Sequence, residues 1–121
     1  MHTKKLEVQY TYDPQRDILN IEIKKDYKHN KTIELSFGVF LDFDDENLPV
    51  NLEIISASKV LETERKSLIN PKVNIDISVS QYRIDVDISL ENKKEIMGFA
   101  DSNSYGFPDS QTSFALHEWN D

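Results

Sequence analysis

Strict alternation of apolar and polar residues constrains this chain more than any other feature. Val73, Ile75, Ile77 and Val79 alternate with Asn74, Asp76, Ser78 and Ser80. Ile84, Val86, Ile88 and Leu90 then alternate with Arg83, Asp85, Asp87 and Ser89. A period of two places each apolar set on one face of a strand. Closing a hairpin around Gln81 and Tyr82 sets Asp76 opposite Asp87, Ser78 opposite Asp85 and Ser80 opposite Arg83. In that register every apolar side chain shares one face.

The same rhythm runs through the first half. Leu6, Val8, Tyr10 and Tyr12 read as one strand, and Leu19, Ile21 and Ile23 as its partner. Between them Asp13-Pro14-Gln15-Arg16 carries Asp and Pro at the first two positions of a type I turn, which pairs Tyr12 with Leu19. Residues 25–31 are polar and read as a loop. Ile33 to Phe43 reads as a third strand, with Gly38 as a bulge or bend inside it. Phe40 falls on the polar side of that strand, which implies that another strand, the carboxyl-terminal loop or a second subunit covers it. Asp44 to Asn47 is a turn, and Val50, Leu52 and Ile54 form a fourth strand.

The period changes after Ser56. Ala57, Val60, Leu61 and Leu68 fall at helical spacing, Ser58 is placed to cap, and Asn70-Pro71 is a stop signal. The spacing predicts a helix over 58–69 of about three turns lying on one face of the sheet. Past the second hairpin, 95–100 and 112–117 read as weaker strands around a turn-rich loop over 101–111. Aromatics such as Tyr105, Phe107, Phe114 and Trp119 are expected to fold back onto a small core. The expected architecture is α+β: about seven to eight antiparallel strands built from hairpins, with one helix packed on them. A single domain is expected over 1–121, with hairpins and helix over 6–70 and a second β region over 72–121.

Composition removes whole classes of chemistry. The 121 residues include no cysteine, so disulfides, thiolate metal sites and cysteine nucleophiles are excluded. With three glycines the chain builds neither a phosphate-cradling loop nor a dinucleotide fingerprint. A net charge of −8 argues against nucleic acid as a partner. No apolar run approaches the ~20 residues of a membrane helix, and there is no signal-peptide pattern, so a cytoplasmic location is expected.

Three motifs carry a family resemblance. Tyr12-Asp13-Pro14-Gln15-Arg16-Asp17-Ile18-Leu19 is similar to a Tyr-Asp-Pro, two variable residues, Asp, one variable residue, Leu opening. Gly38-Val39-Phe40-Leu41-Asp42-Phe43-Asp44 is similar to a glycine followed by an apolar strand ending in Asp-x-Asp. Leu52-Glu53-Ile54-Ile55-Ser56-Ala57-Ser58 is similar to a strand leading into a helix. In this order, over about residues 8–62, they resemble domain of unknown function 2283, with a longer carboxyl-terminal region of archaeal type. The chain departs from the family pattern at two glycine positions, where it has Asn47 and Asn51; asparagine tolerates left-handed backbone, so the turn is expected to survive. The resemblance implies a small β-rich fold and an intracellular prokaryotic protein, with no activity assigned to the family. Some relatives sit beside small ribonuclease-like toxins, which would make an acidic partner role natural.

Two acidic clusters are the candidate site residues. Asp42, Asp44, Glu46 and Glu53 fall at positions 1, 3, 5 and 12 of a calcium loop. Against a metal stand Asn47 at position six, the following Pro49 and strand flanks, which instead suggest a solvated acidic turn with Asp42 across from Glu53. Asp76, Asp85 and Asp87 form an outward stripe suited to a basic partner. The histidines, His2, His29 and His117, read as solvent-exposed, and no nucleophile elbow is present. The expectation is therefore a non-enzymatic, self-associating interaction module without cofactor, its acidic face turned to a basic protein. The alternative is a divalent-metal binder or small metal-dependent hydrolase using the clustered aspartates.

Overall fold

The computed structural model describes residues 3–91 and 93–116. Its strands are β1 (Thr3–Leu6), β2 (Val8–Asp13), β3 (Ile18–Ile23), β4 (His29–Ser36), β5 (Val39–Asp44) and β6 (Pro49–Ile55), then β7 (Val73–Val79), β8 (Arg83–Leu90), β9 (Met97–Ser102) and β10 (Ser110–Leu116). One short helix, α1 (Ala57–Val60), and a 3₁₀ turn over Arg65–Leu68 lie between β6 and β7. The class is α+β and mostly antiparallel β. The ten strands form two five-stranded sheets, in the orders β2-β3-β6-β5-β4 and β1-β10-β7-β8-β9.

The alternation decides the packing. Leu19, Ile21 and Ile23 of β3, Leu41 and Phe43 of β5, and Leu52 and Ile54 of β6 share one buried cluster with Ile75 and Ile77 of β7 and Val86 and Ile88 of β8. The layer that covers the first sheet is thus the second sheet. The expected helix over 58–69 does not form: α1 is a single turn, and Glu62 in left-handed backbone (φ 53°) breaks it before the 3₁₀ turn. Ser58 is not the cap. Ser56 holds that position at φ 55° without a side-chain cap bond.

Two hairpins match the sequence reading residue for residue. Tyr12 pairs with Leu19, Asp76 with Asp87 and Ser78 with Asp85, and the Ser80 amide donates to the Arg83 carbonyl at 2.8 Å. In the first hairpin the Asp13 carboxylate accepts the Gln15 and Arg16 amides, while the Asp17 amide closes the loop on the Asp13 carbonyl at 2.7 Å.

Elsewhere the chain turns where the pattern does not show it. Leu6 does not extend β2; it lies in β1, parallel to β10, and the chain changes sheets at Glu7. The Glu7 carbonyl still accepts the Lys24 amide at 3.0 Å. The polar stretch 25–31 is a loop only to Lys28, because β4 begins at His29. The run from Ile33 to Phe43 is a hairpin. Ser36 pairs with Val39, leaving Phe37 and Gly38 as a two-residue connection. A two-residue loop reverses the parity of the alternation, but the register irregularity between Glu34 and Ser36 restores it, so the turn is silent in the pattern. The later strands also shift: β9 ends at Ser102 and β10 starts at Ser110, shortening the loop expected over 101–111. His117, at the end of the strand expected over 112–117, and Trp119 lie outside the described residues.

Of the two loop aromatics, Phe107 folds inward as expected and Tyr105 stays exposed. Phe107 is buried and stacks on Phe43 with ring centroids 3.9 Å apart. Asn103 holds the loop by donating to the Ser80 and Phe107 carbonyls, both at 2.8 Å, and by accepting the Phe107 amide. Tyr105 stacks on Phe107, and the Lys31 ammonium lies 5.0 Å from the Tyr105 ring.

Gly38 is the sharpest steric requirement. It sits at φ +80°, and a Cβ there would lie 3.0 Å from the Ile55 carbonyl oxygen, which belongs to backbone that cannot step aside. Gly38→Ala should lower stability by about 1–2 kcal/mol. The urea midpoint would fall with an unchanged slope, and an unchanged midpoint would contradict this account.

Candidate functional site

The first motif builds a buried polar centre. Asp17 is 3 % exposed and left-handed at φ 58°. Its carboxylate accepts the Ser58 amide at 3.0 Å, the Ser58 hydroxyl at 2.6 Å and the Tyr12 hydroxyl at 2.6 Å, and Arg65 Nε lies 3.9 Å away. The Asp17 carbonyl also accepts the Ala57 amide at 2.9 Å. Burial pushes this carboxyl upward, but the Ser58 and Tyr12 hydrogen bonds and the Arg65 charge outweigh it, leaving Asp17 below the ordinary carboxylate value. Burial and Asp17 together push the Tyr12 hydroxyl up to about 12. A carboxylate saturated by donors and held charged is a poor proton acceptor, and every bond that Asp17 makes ties the β2–β3 turn to the start of α1 and its surroundings.

The second motif ends in the acidic turn. Asp44 is buried and accepts the Glu46 and Leu48 amides, both at 2.9 Å, while Asn47 takes the left-handed conformation (φ 62°) at the turn. Asn51 is not a second such position: it lies in β6 opposite Asp42, and among the described residues it has no positive φ. Asp42 therefore faces Asn51 and not Glu53, which pairs with Phe40. Asp42 accepts the Thr32 hydroxyl and the Asn51 amide group, the latter at 2.8 Å. His29 Nε2 is 2.8 Å from the Thr32 hydroxyl and 3.8 Å from Asp42. Tyr27 from the β3–β4 loop donates to Glu22 at 2.6 Å, and burial, then Glu22 and Asp42, hold its hydroxyl proton more tightly than usual.

Asp42, Asp44, Glu46 and Glu53 thus do not surround a common point. Among the described residues no group of three or more His, Asp or Glu is placed to hold a metal ion. What β4, β5 and β6 bring together instead is the His29–Thr32–Asp42–Asn51 chain. Its only sequence signal was the Asp42 pattern, because the irregular register between His29 and Lys31 that turns His29 toward Thr32 leaves no mark in composition.

The second acidic cluster is brought together as expected. Asp76 and Asp87 are directly opposed on the outward face of the β7–β8 hairpin, with Asp85 on the next row. Asp76 accepts the Ser113 hydroxyl at 2.5 Å, and Asp85 is bridged by Arg83 at 2.9 Å. The surroundings are small: Gly98 and Ala100 of β9 pair with Asp87 and Asp85, and a Cβ on Gly98 would meet Asp87 at 3.2 Å.

Residues 9–58 match the family model described as Protein of unknown function (DUF2283). That stretch is almost the whole first sheet, from the second residue of β2 to Ser58, the residue that binds Asp17. The family's three motifs therefore correspond to the buried carboxylate, the glycine-tipped hairpin with its aspartate-closed turn, and the strand that delivers Ser58. The second sheet lies outside the match. No curated protein and no solved structure matches the chain. Among the described residues no helix is long and apolar enough to cross a membrane.

Because Asp17 sits below its unfolded value of about 3.9, it stabilises the fold above that pH and loses this contribution as pH falls through its folded value. An acid titration of thermal stability should show this loss in the native chain and a shallower one in Asp17→Asn. That variant keeps the left-handed backbone but should lose about 2 kcal/mol at neutral pH. Equal acid profiles would refute the assignment.

Proposed function

We propose that the protein is a non-enzymatic interaction module that presents the Asp76–Asp85–Asp87 face of its second sheet to a basic protein partner, in the cytoplasm. The observation that supports this reading is the direct opposition of Asp76 and Asp87 on an exposed face. Like charges facing each other across two strands cost roughly 0.2–1 kcal/mol, and the fold gains nothing from the pairing. A cationic surface laid on the stripe would reverse the sign of that interaction. The small neighbours Ser113 and Gly98 leave Asp76 and Asp87 open to lysine and arginine side chains, while Asp85 already engages one such group, Arg83.

Two measurements test this. A lysine decamer should bind at low salt and weaken steeply as salt rises, by the screening expected for exposed charges. The double substitution Asp76→Asn with Asp87→Asn should reduce that binding at least tenfold while raising stability by up to about 1 kcal/mol. Binding that the double variant leaves intact would move the interface elsewhere. The competing metal-dependent reading predicts a thermal shift of several degrees with millimolar Ca²⁺, Mg²⁺ or Mn²⁺, because a ligand bound only to the native state adds to its stability. Such a shift, if abolished by Asp42→Asn with Asp44→Asn, would replace the present reading.

A further inference from the structure

Phe40 is an aromatic ring on the solvent side of its strand. It alternates in β5 with Val39, Leu41 and Phe43, whose side chains enter the core, and so points away from the second sheet. The loop around Phe107 stacks on Phe43, on the opposite face, and gives Phe40 no cover. Among the described residues the ring is only partly buried, packs against no part of the core, and has neither an aromatic nor a cationic neighbour. An aromatic ring that adds nothing to the core is the type of group that anchors interfaces.

Its two cross-strand neighbours are both acids. Glu34 of β4 pairs with Phe40 on one side and Glu53 of β6 on the other. Direct cross-strand partners share a face with Cβ atoms about 5 Å apart, so a carboxylate stands at each side of the ring. Neither is paired with a cation. Among the described residues the Glu53 carboxylate has no hydrogen-bond or ion-pair partner, and the Glu34 carboxylate accepts only the Gly38 amide, through one oxygen at 3.2 Å. The contrast is with Asp17, Asp42 and Asp76, whose oxygens accept side-chain donors of their own chain. Beyond Glu53 the same row continues with Asn20, which is neutral.

We propose that Phe40, Glu34 and Glu53 form a docking site for an arginine side chain of a partner protein. The face of an aromatic ring attracts a cation within about 6 Å of its centroid. Unpaired carboxylates on both sides of the ring add charge-assisted hydrogen bonds. A planar guanidinium meets all three groups at once, lying flat on the ring while its fork reaches toward the carboxylates, whereas the lysine ammonium is a single point charge. An apolar occupant would cover both carboxylates and leave them unpaired, and an anion would be repelled. A flat, open patch holds a lone arginine only at millimolar concentration, so the occupant is an arginine carried by a protein and not the free amino acid. The site lies on the outward face of the first sheet, away from the Asp76–Asp87 face of the second, and does not depend on it.

The probe is the capped tripeptide acetyl-Gly-Arg-Gly-amide, titrated into the full chain and followed by NMR. The Phe40 ring protons and the amides of Glu34, Phe40 and Glu53 should shift saturably, with a Kd of about 10 mM or below. The arginine δ-methylene should move upfield as it stacks on the ring. The capped Gly-Lys-Gly counterpart should bind at least about threefold more weakly. Phe40→Leu and Glu53→Gln should each weaken arginine binding at least about threefold, and Phe40→Leu should also remove the upfield shift. Both variants should remain folded, since neither side chain belongs to the core. Asp76→Asn with Asp87→Asn should leave the titration unchanged. Shifts centred on Asp76 and Asp87 would overturn this site and leave the proposed function standing. Equal binding of the two peptides, arginine binding that Phe40→Leu leaves intact, or no saturable shift at all would likewise overturn it.

Discussion

One buried carboxylate ties the first sheet to everything that follows it. Asp17 stands at the β2–β3 turn, yet its donors come from Tyr12 on β2 and from Ser58 more than forty residues later, with Arg65 alongside. The carboxylate does the capping that Ser56 does not, and so starts α1 where the chain leaves the sheet. Desolvating a charge is costly, and only a full set of donors makes the burial favourable. The arrangement is therefore all or nothing: the turn, the helix start and the position of Arg65 are set together.

That coupling gives the family motifs a physical meaning. Asp13 shapes the loop with its side chain, Asp17 reaches out of it, and Gly38 brings the hairpin tip against Ile55, three residues before Ser58. These residues are structural in every contact that they make. In this chain, then, the motifs account for how the first sheet folds.

Much of this was legible in the residues, and the failures have physical causes. The β2–β3 and β7–β8 registers were readable because a one-residue slip would turn every apolar side chain outward. The break at Gly38 was not, because Phe37 keeps step with Leu35 and Val39 across the turn. Leu6 likewise keeps step with Val8 although the two serve different sheets. The helix over 58–69 was overread because apolar spacing says nothing about Glu62 leaving helical backbone. Of the candidate site residues, the opposition of Asp76 and Asp87 followed from pairing alone. The Asp42 network depended on a register irregularity at His29 that no periodicity reports.

The order of the second sheet has a consequence for how the chain assembles. All strands of the first sheet are contiguous in sequence, from Val8 to Ile55, and every pairing in it but β3 with β6 joins consecutive strands. In the second sheet the earliest strand, β1, has a single partner, β10, the last strand described. During synthesis β1 therefore waits for β10 until nearly the whole described chain has emerged, and its parallel pairing closes the longest loop among the described strand pairings. The first sheet is poised to form early as a nucleus, while β1 and β10 come together last, making that seam the kinetic latch of the fold.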